Sequence, residues 1–495
     1  MSEYTLFTKR IGLVGLVQTF ATLKGLIILP ILTKTLGATD YGIWAQILVT
    51  VSLLQPFVQL GFASSIVRFL PVKGKREIVQ GIITALSVTL VTGAVVSLIF
   101  FLSSNYLAAN FLKEESAALI IKIASPLIVL EALNVMASNS FRVFGQIKRY
   151  AIVSLLQTSL EIGLIAFFVL SGHGLMGAVI SLLITRCIIL LVMLHLIISY
   201  AGFAAPDFSL LRPFLVFGLP LIPTVIFELV VALSDRYVIG FFRGTASVGI
   251  YSAAYSIGGI ISMFWSYIAY ILGPTVFNLY DSNKIGEVKT YLSYSWKYLM
   301  MLSIPSAFGL SALAKPLLTS LTTPEFVSTG QLVIPLVALS MIFYGVQGIF
   351  GEVIQMSKHT KIFAIAFGTG AGLNLGLNVL FVPRWGVIAA AIVALIAYVL
   401  VAGIIYYQSR KYMIFDANPV FVIKSILASA VMTLAIWAFH PVGAIEIVLS
   451  VIIGAAIYFA VLFLLKGLTQ AETRFFLQLV VETAKEIRAK VIKSV

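Results

Sequence analysis

The chain has 495 residues, of which 60% are hydrophobic and 11% are charged, with a formal net charge of +14 and a single cysteine. A soluble domain carries about 25% charged residues, so this composition excludes an ordinary soluble protein and is typical of a polytopic membrane protein. The cysteine, Cys187, lies inside an apolar run, which excludes a disulfide framework and a CxxC metal site.

Apolar runs long enough to cross a bilayer recur along the whole chain. The first run follows the N-terminus without a small-residue cleavage site, so we expect a retained span and not a removed signal peptide. The fold class predicted is an all-α polytopic membrane protein with about fourteen transmembrane helices. We place these spans at roughly 11–36, 43–70, 78–103, 117–144, 151–170, 175–199, 213–242, 249–277, 291–314, 330–356, 362–382, 386–408, 420–439 and 444–466.

The basic residues between these spans are unevenly divided. One side of the membrane receives 21 of them, whereas the other receives only Lys34, Lys113, Arg243, Lys315 and Arg384. Because cytoplasmic loops are enriched in lysine and arginine, this asymmetry predicts that both termini are cytoplasmic. Topology therefore explains most of the positive charge, and we expect no nucleic-acid partner.

Two pairs of segments indicate an internal repeat. LGATDYGIWA (36–45) aligns with RGTASVGIYS (243–252) at an offset of 207, and the segment 145–184 aligns with 357–395 at an offset of 212. Matching loops face the same side, so the repeats are parallel, with a pseudo-two-fold axis along the membrane normal and a substrate site expected between the lobes. The predicted domains are an N-lobe of spans one to six, a C-lobe of spans seven to twelve, two additional spans and a cytoplasmic tail (1–210, 211–410, 411–467 and 468–495).

Three stretches carry a resemblance to a known family. LGATDYGIW, SDRYVIGFFRGTASVGIYSAAY and GLNLGLNVLFVPRWGVIAAAI resemble the signature segments of Wzx-type polysaccharide flippases, which belong to the multidrug/oligosaccharidyl-lipid/polysaccharide exporter superfamily. The resemblance covers about residues 10–470. It implies translocation of undecaprenyl-diphosphate-linked oligosaccharide repeat units, such as those of O-antigen, to the outer leaflet of the bacterial cytoplasmic membrane. Polysaccharide polymerase and chain-length proteins are the partners it implies.

The sequence offers little room for an enzyme acting on the same lipids. The longest outer loops, 105–116 and 314–326, contain neither histidine nor aspartate, and the four histidines are scattered. No HxxxH motif and no phosphate-binding glycine loop followed by Lys-Ser/Thr is present. We therefore predict a transporter with no cofactor or metal, coupled to H⁺ or Na⁺ if to any ion.

Charged residues inside the spans are the candidate functional groups, because they are costly in a membrane and are usually functional. Glu161 and Arg186 reach similar depths on adjacent antiparallel helices, which predicts an ion pair. Asp235 is expected to need a partner elsewhere than its neighbour. The predicted substrate-binding cations are Lys24, Arg186, Arg236 and Lys297, and the predicted ion-coupling carboxylates are Glu131, Glu161 and Glu228.

Lys24 lies in the middle of the first span and has two interpretations. It either pairs with a glutamate, Glu228 being the candidate on the corresponding helix of the other lobe, or it lines an aqueous cavity and attracts the diphosphate of a substrate. We favour the second interpretation, since fixed cations in a low-dielectric cleft lower the energy barrier to moving a phosphate across the membrane. Drug extruders of the same superfamily expel organic cations and would be expected to carry an acid in this helix, which has none between Ile11 and Leu36. A cation extruder remains the alternative function.

Two further features have structural interpretations. Asn374 and Asn378 share a helix face and are expected to hydrogen-bond between helices, with sugar contact as the alternative. The tail 474–495 has an apolar stripe and several basic residues, which predicts an amphipathic helix on the cytoplasmic leaflet or, alternatively, a partner-binding helix.

Overall fold

The computed structural model describes residues 3–468 and Glu472, with side chains from Thr19 onward. Within that part of the chain the eighteen α-helices are α1 (Glu3–Gln59), α2 (Phe62–Phe69), α3 (Lys75–Leu102), α4 (Ser104–Leu107), α5 (Ala117–Ala124), α6 (Pro126–Val143), α7 (Ile147–Phe168), α8 (Gly174–Ala201), α9 (Leu211–Gly218), α10 (Ile222–Arg243), α11 (Thr245–Gly258), α12 (Ser262–Asp281), α13 (Ile285–Ala312), α14 (Ala314–Leu321), α15 (Pro324–Met356), α16 (Lys361–Ser409), α17 (Pro419–Phe439) and α18 (Ala444–Leu464). The predicted tail helix at 474–495 lies outside the described residues.

The number of spans agrees with the sequence prediction. Among the described residues, ten helical stretches are long and apolar enough to cross a membrane, and the bent pair α13–α14 makes eleven. Three of these stretches, Thr19–Gln59, Ile147–Ala201 and Lys361–Ser409, contain 41, 55 and 49 residues. A bilayer core needs only about 20 residues, and each stretch is broken by a glycine outside the helical conformation. Each therefore holds two spans, which gives fourteen.

The repeat is visible in the backbone of paired glycines. Gly37 (φ 72°, ψ −177°) and Gly244 (φ 81°, ψ 170°) are separated by 207 residues and have almost the same conformation. Gly174 (φ 55°, ψ −144°) and Gly386 (φ 63°, ψ −144°) match equally well at an offset of 212. Side chains disfavour positive φ, so glycine stands at each of these turns, and the predicted parallel repeat is confirmed.

The two halves meet at a reciprocal contact. A Cβ atom at Gly42 would lie 1.9 Å from the carbonyl oxygen of Thr245, and one at Gly249 would lie 2.1 Å from the carbonyl oxygen of Ala38. At the offset of 207, Gly42 corresponds to Gly249 and Ala38 corresponds to Thr245. The two contacts are therefore equivalent, as a local two-fold axis between α1 and α11 requires. Glycines allow the two backbones to approach within van der Waals distance here.

Segments predicted to share a side of the membrane lie together. At the predicted outer end, Glu325 Oε1 accepts a hydrogen bond of 2.9 Å from the backbone N–H of Ala38, an amide that the break at Gly37 exposes. Arg243 donates to the carbonyl oxygens of Val382 and Pro383, just before the break at Gly386. These contacts satisfy backbone groups that a broken membrane helix would otherwise leave unpaired.

The seventh span is divided between the two lobes. Its inner segment, α9, packs against α2 of the N-lobe, where Phe214 contacts Phe62 and Phe69 with ring centroids 6.1 and 6.2 Å apart. A 3₁₀ turn, Leu219–Leu221, then leads into α10, which packs mainly against α16 of the C-lobe. The turn contains Pro220, whose ring cannot continue a regular helix. The predicted boundary at residue 211 is therefore crossed by a segment that packs with the preceding lobe.

Candidate functional site

Four helices of the N-lobe bring together a chain of charged side chains. Lys24 Nζ on α1 donates to Glu161 Oε1 on α7 over 2.7 Å, and Arg186 Nη1 on α8 donates to Glu161 Oε2 over 2.9 Å. Arg186 Nε donates in turn to Glu131 Oε2 on α6. We call Lys24, Glu161, Arg186 and Glu131 the N-lobe network. One carboxylate bridges two cations, and one guanidinium bridges two carboxylates.

The N-lobe network lies deep in the bundle. Lys24, Glu161 and Arg186 stand thirteen, eleven and twelve residues from the outer glycines at 37, 172 and 174. At about 1.5 Å per residue, each is about 17–20 Å from the outer end of its helix, so the three side chains meet at one depth. This common depth explains why helices distant in sequence place their charges in contact.

Burial varies along the N-lobe network. The side chains of Glu161 and Arg186 are only 6% and 10% exposed, whereas those of Lys24 and Glu131 are 26% and 32% exposed. Two positive and two negative charges balance, so the network has no net charge when all four groups are ionised. The Lys24 and Glu131 ends of the network are therefore more exposed than its centre.

The sequence prediction for this region was partly right. The predicted ion pair between Glu161 and Arg186 is confirmed. Lys24 also forms an ion pair, but its partner is Glu161 of the same lobe, so the expectation of a pair with Glu228 was wrong. The reason is that α1 packs beside α7, whereas the sequence pointed to the corresponding helix of the other lobe.

Arg236 lies in a separate cluster in the C-lobe. Its Nη1 donates to Asp235 Oδ1 over 2.8 Å, its guanidinium lies 4.1 Å from the ring centroid of Tyr255, and Tyr251 donates its hydroxyl hydrogen to Asp235 Oδ2. The expectation that Asp235 has a partner elsewhere is borne out by Tyr251 on α11, whereas the expectation that it does not pair with its neighbour Arg236 was wrong. Asp235 and Arg236 are both buried, so Arg236 does not face open space in this conformation.

Lys297 is at a third place. Its Nζ lies 2.6 Å from Glu472 Oε2 and 5.1 Å from the ring centroid of Phe421 on α17. The four predicted cations thus fall into three groups, of which only Lys24 and Arg186 share a network. Each of the four has a carboxylate partner among the described residues.

Two carboxylates of the C-lobe stand apart from these pairs. Glu228 on α10 is half-buried and makes no ion pair or hydrogen bond with another described side chain. Glu352 on α15 is buried, and its Oε2 has no hydrogen-bond partner among the described residues. The sequence reasoning missed Glu352 because it lies close to the inner end of its span, although a lone acid in QGIFGEVIQM was a usable signal.

The two asparagines make the interhelical contact that the sequence predicted. Asn374 Oδ1 on α16 accepts a hydrogen bond of 3.1 Å from Ser234 Oγ on α10, and Asn378 Nδ2 donates to the same oxygen over 3.0 Å. All three side chains are buried. Hydrogen bonds between helices hold membrane bundles together where the hydrophobic effect does not.

Comparison with solved structures defines the class of fold. A structure of the lipid II flippase MurJ in an inward closed conformation is similar over 94% of this chain and 99% of that one, with a TM-score of 0.75 and 16% identity. An inward-facing multidrug resistance MATE family transporter of the MOP superfamily covers 80% of this chain, with a TM-score of 0.67 and 16% identity. The chain therefore shares the fold of these two transporters.

Sequence comparison then gives the family. The chain belongs to the family described as polysaccharide biosynthesis protein, whose model matches residues 7–279, and a MatE model matches residues 220–380. The probable flippase AglR of Haloferax volcanii is 30% identical over 236 residues, 45% of this chain and 48% of that protein. The uncharacterized membrane protein YabM of Bacillus subtilis is 27% identical over 163 residues, 33% of this chain and 30% of that protein. Each alignment spans less than half of the relative's length.

Proposed function

We propose that the chain is a flippase that moves undecaprenyl-diphosphate-linked oligosaccharide repeat units from the inner to the outer leaflet of a bacterial cytoplasmic membrane by alternating access. Membership of the polysaccharide biosynthesis family and similarity to a probable flippase support transport of a lipid-linked glycan. Both termini would be cytoplasmic, and polymerase and chain-length proteins would act on the product.

The observation that carries the mechanism is the Lys24 end of the N-lobe network. Lys24 is the most exposed of the four candidate cations, yet its ammonium is held by Glu161. A diphosphate that reaches Lys24 would compete with Glu161 for this ammonium, while Glu161 keeps its bond to Arg186. In this proposal the cation that the substrate meets is the single ammonium of Lys24. It exchanges the carboxylate of Glu161 for a phosphate, and the buried ion pair of Glu161 and Arg186 lies behind it.

Replacing Lys24 with alanine tests this exchange. Export of lipid-linked sugar should fall about ten- to a hundredfold, the loss expected for a hydrogen bond to a charged group. The free energy of unfolding should fall by only about 1 kcal/mol, because Glu161 retains Arg186. Measurements of surface polysaccharide and of folded, membrane-inserted protein separate the two quantities.

Three variants control this experiment. Lys24→Arg should keep much of the activity, and Lys24→Glu should have the least. Lys122→Ala, at a lysine without an ion pair among the described residues, should leave export unchanged. Normal polysaccharide with Lys24→Ala at ordinary expression would exclude substrate binding by Lys24. Parallel loss of protein and export, restored by adding Glu161→Gln, would instead assign Lys24 a structural role.

We further propose that Glu228 and Glu352 couple transport to H⁺ or Na⁺. Glu131 and Glu161 are neutralised by cations, whereas a carboxyl without an ion pair can take up a proton or a metal cation during the cycle. The double variant Glu228→Gln, Glu352→Gln should lose the stimulation of transport by an ion gradient but retain exchange of substrate across vesicles without a gradient. Glu131→Gln is the matched control and should keep the stimulation. Unchanged stimulation in the double variant would exclude coupling through these groups.

The alternative is extrusion of organic cations. The MatE match over residues 220–380 and the half-buried Glu228 favour it. Purified protein in vesicles separates the two functions, because a flippase moves lipid-linked glycan to the opposite leaflet and an extruder moves a soluble organic cation.

A further inference from the structure

On the predicted cytoplasmic side, the first residues of α3 and α7 lie close to the last residues of α8. This arrangement brings two cations to one aromatic ring. Lys75, the first residue of α3, has its Nζ 4.3 Å from the ring centroid of Tyr200, near the end of α8. Arg149, in the first turn of α7, has its Cζ 5.2 Å from the same centroid. These two distances place the cationic groups no more than 9.5 Å apart. We call Lys75, Arg149 and Tyr200 the inner basic cluster.

Neither cation of this cluster has a carboxylate partner among the described residues. Arg149 instead donates from Nη1 to the neutral side chain of Gln146 over 3.0 Å. The contrast with Lys73, two residues before Lys75, is clear, since Lys73 Nζ lies 3.1 Å from Glu77 Oε2. The cluster therefore holds two like charges on a shared ring without a protein counter-ion.

Helix geometry adds to the positive potential. Gln146, the cap of α7, makes no side-chain hydrogen bond to the first amides of its helix, and the first turn of α7 contains no acidic residue. Those amides carry the positive end of the helix dipole, which attracts anions. Tyr200 is 37% exposed and is braced by Phe144, with ring centroids 5.4 Å apart, so the ring is held at the surface.

We propose that the inner basic cluster binds a phosphate oxyanion, presented by the headgroup of an anionic lipid in the cytoplasmic leaflet. The position fits this ligand because the cluster lies where three spans enter the predicted cytoplasmic surface, and anionic lipids attract basic residues at that surface. The phosphate bridges Lys75 and Arg149 and supplies the missing negative charge, while Tyr200 fixes the spacing of the two cations. This inference does not depend on the transported substrate.

The test is lipid binding by the purified full-length chain in detergent, measured by native mass spectrometry with phosphatidylglycerol or phosphatidylcholine. The chain should retain phosphatidylglycerol in preference to phosphatidylcholine. Lys75→Ala and Arg149→Ala should each weaken phosphatidylglycerol binding about fivefold, the effect of one basic residue near an anionic surface. Lys73→Ala is the matched control and should bind as the unaltered chain does.

A second pair of variants separates a binding role from a structural one. Tyr200→Phe keeps the ring and should bind normally, whereas Tyr200→Ala should weaken binding although both cations remain. Unchanged phosphatidylglycerol binding by the Lys75→Ala, Arg149→Ala double variant would overturn the proposal. Displacement of the lipid preference by inorganic phosphate alone, at concentrations equal to those of the lipid, would overturn the assignment to a lipid headgroup.

Discussion

Gly42→Ala is expected to abolish transport and to lower the free energy of unfolding by roughly 3 kcal/mol or more, beyond the usual range for overpacking. The added Cβ would lie 1.9 Å from the carbonyl oxygen of Thr245. A backbone carbonyl cannot rotate away as a flexible side chain can, so α1 and α11 would have to separate. Thermal unfolding of the purified variant and export by cells that carry it measure both effects.

The repeat supplies a second variant and α1 supplies the control. Gly249→Ala should have a similar effect, because its Cβ would lie 2.1 Å from the carbonyl oxygen of Ala38. Gly25→Ala adds the same methyl group to α1 where no atom of another segment lies within 4 Å, so stability and transport should be retained. Tolerance of alanine at Gly42 would show that the two lobes do not need this close approach.

Arg186→Ala is expected to be more damaging to folding than Lys24→Ala. Arg186 is the cation between two carboxylates, and its loss leaves Glu131 without an ion pair and Glu161 with Lys24 alone. Removing one partner from a buried ion pair costs about 3–5 kcal/mol. The yield of folded protein should fall accordingly, as measured by size-exclusion chromatography of the solubilised protein.

Neutralising a carboxylate should reverse part of this loss. Adding Glu131→Gln to Arg186→Ala removes a charge that would otherwise be unpaired, so the yield should partly recover. Arg212→Ala, at an exposed arginine, should fold normally and controls for the loss of one guanidinium. An Arg186→Ala variant that folds in normal yield would mean that water or lipid headgroups solvate these carboxylates.

Much of the architecture could be predicted from the sequence because it rests on short-range patterns. The apolar runs mark the spans, and the repeat could be read from the spacing of the matching segments, in which Gly37 corresponds to Gly244. The structure then gives both glycines almost the same conformation. The pairing of Glu161 with Arg186 was equally accessible, since one turn joins their helices and fixes their relative depth.

The partners that the sequence did not reveal are those set by long-range packing. The sequence of α1 does not specify which helix packs beside it. The hydrogen bond from Lys24 to Glu161, 137 positions away in the chain, therefore could not be deduced. Lys297 is a similar case, because its partner Glu472 lies 175 positions away. The prediction that Asp235 and Arg236 do not pair failed for another reason. Side chains adjacent on a helix usually diverge, and this pair is an exception.

The division of the seventh span has a mechanical consequence. Because α9 is fixed to the N-lobe and α10 to the C-lobe, any rotation of one lobe relative to the other must change the angle between two parts of a single helix. Gly218 and Leu219–Leu221 join those parts, and a Cβ at Gly218 would meet the carbonyl oxygen of Leu60 at 2.7 Å. The bend at these four residues must therefore change whenever the lobes rotate, so its angle would report the relative orientation of the two lobes.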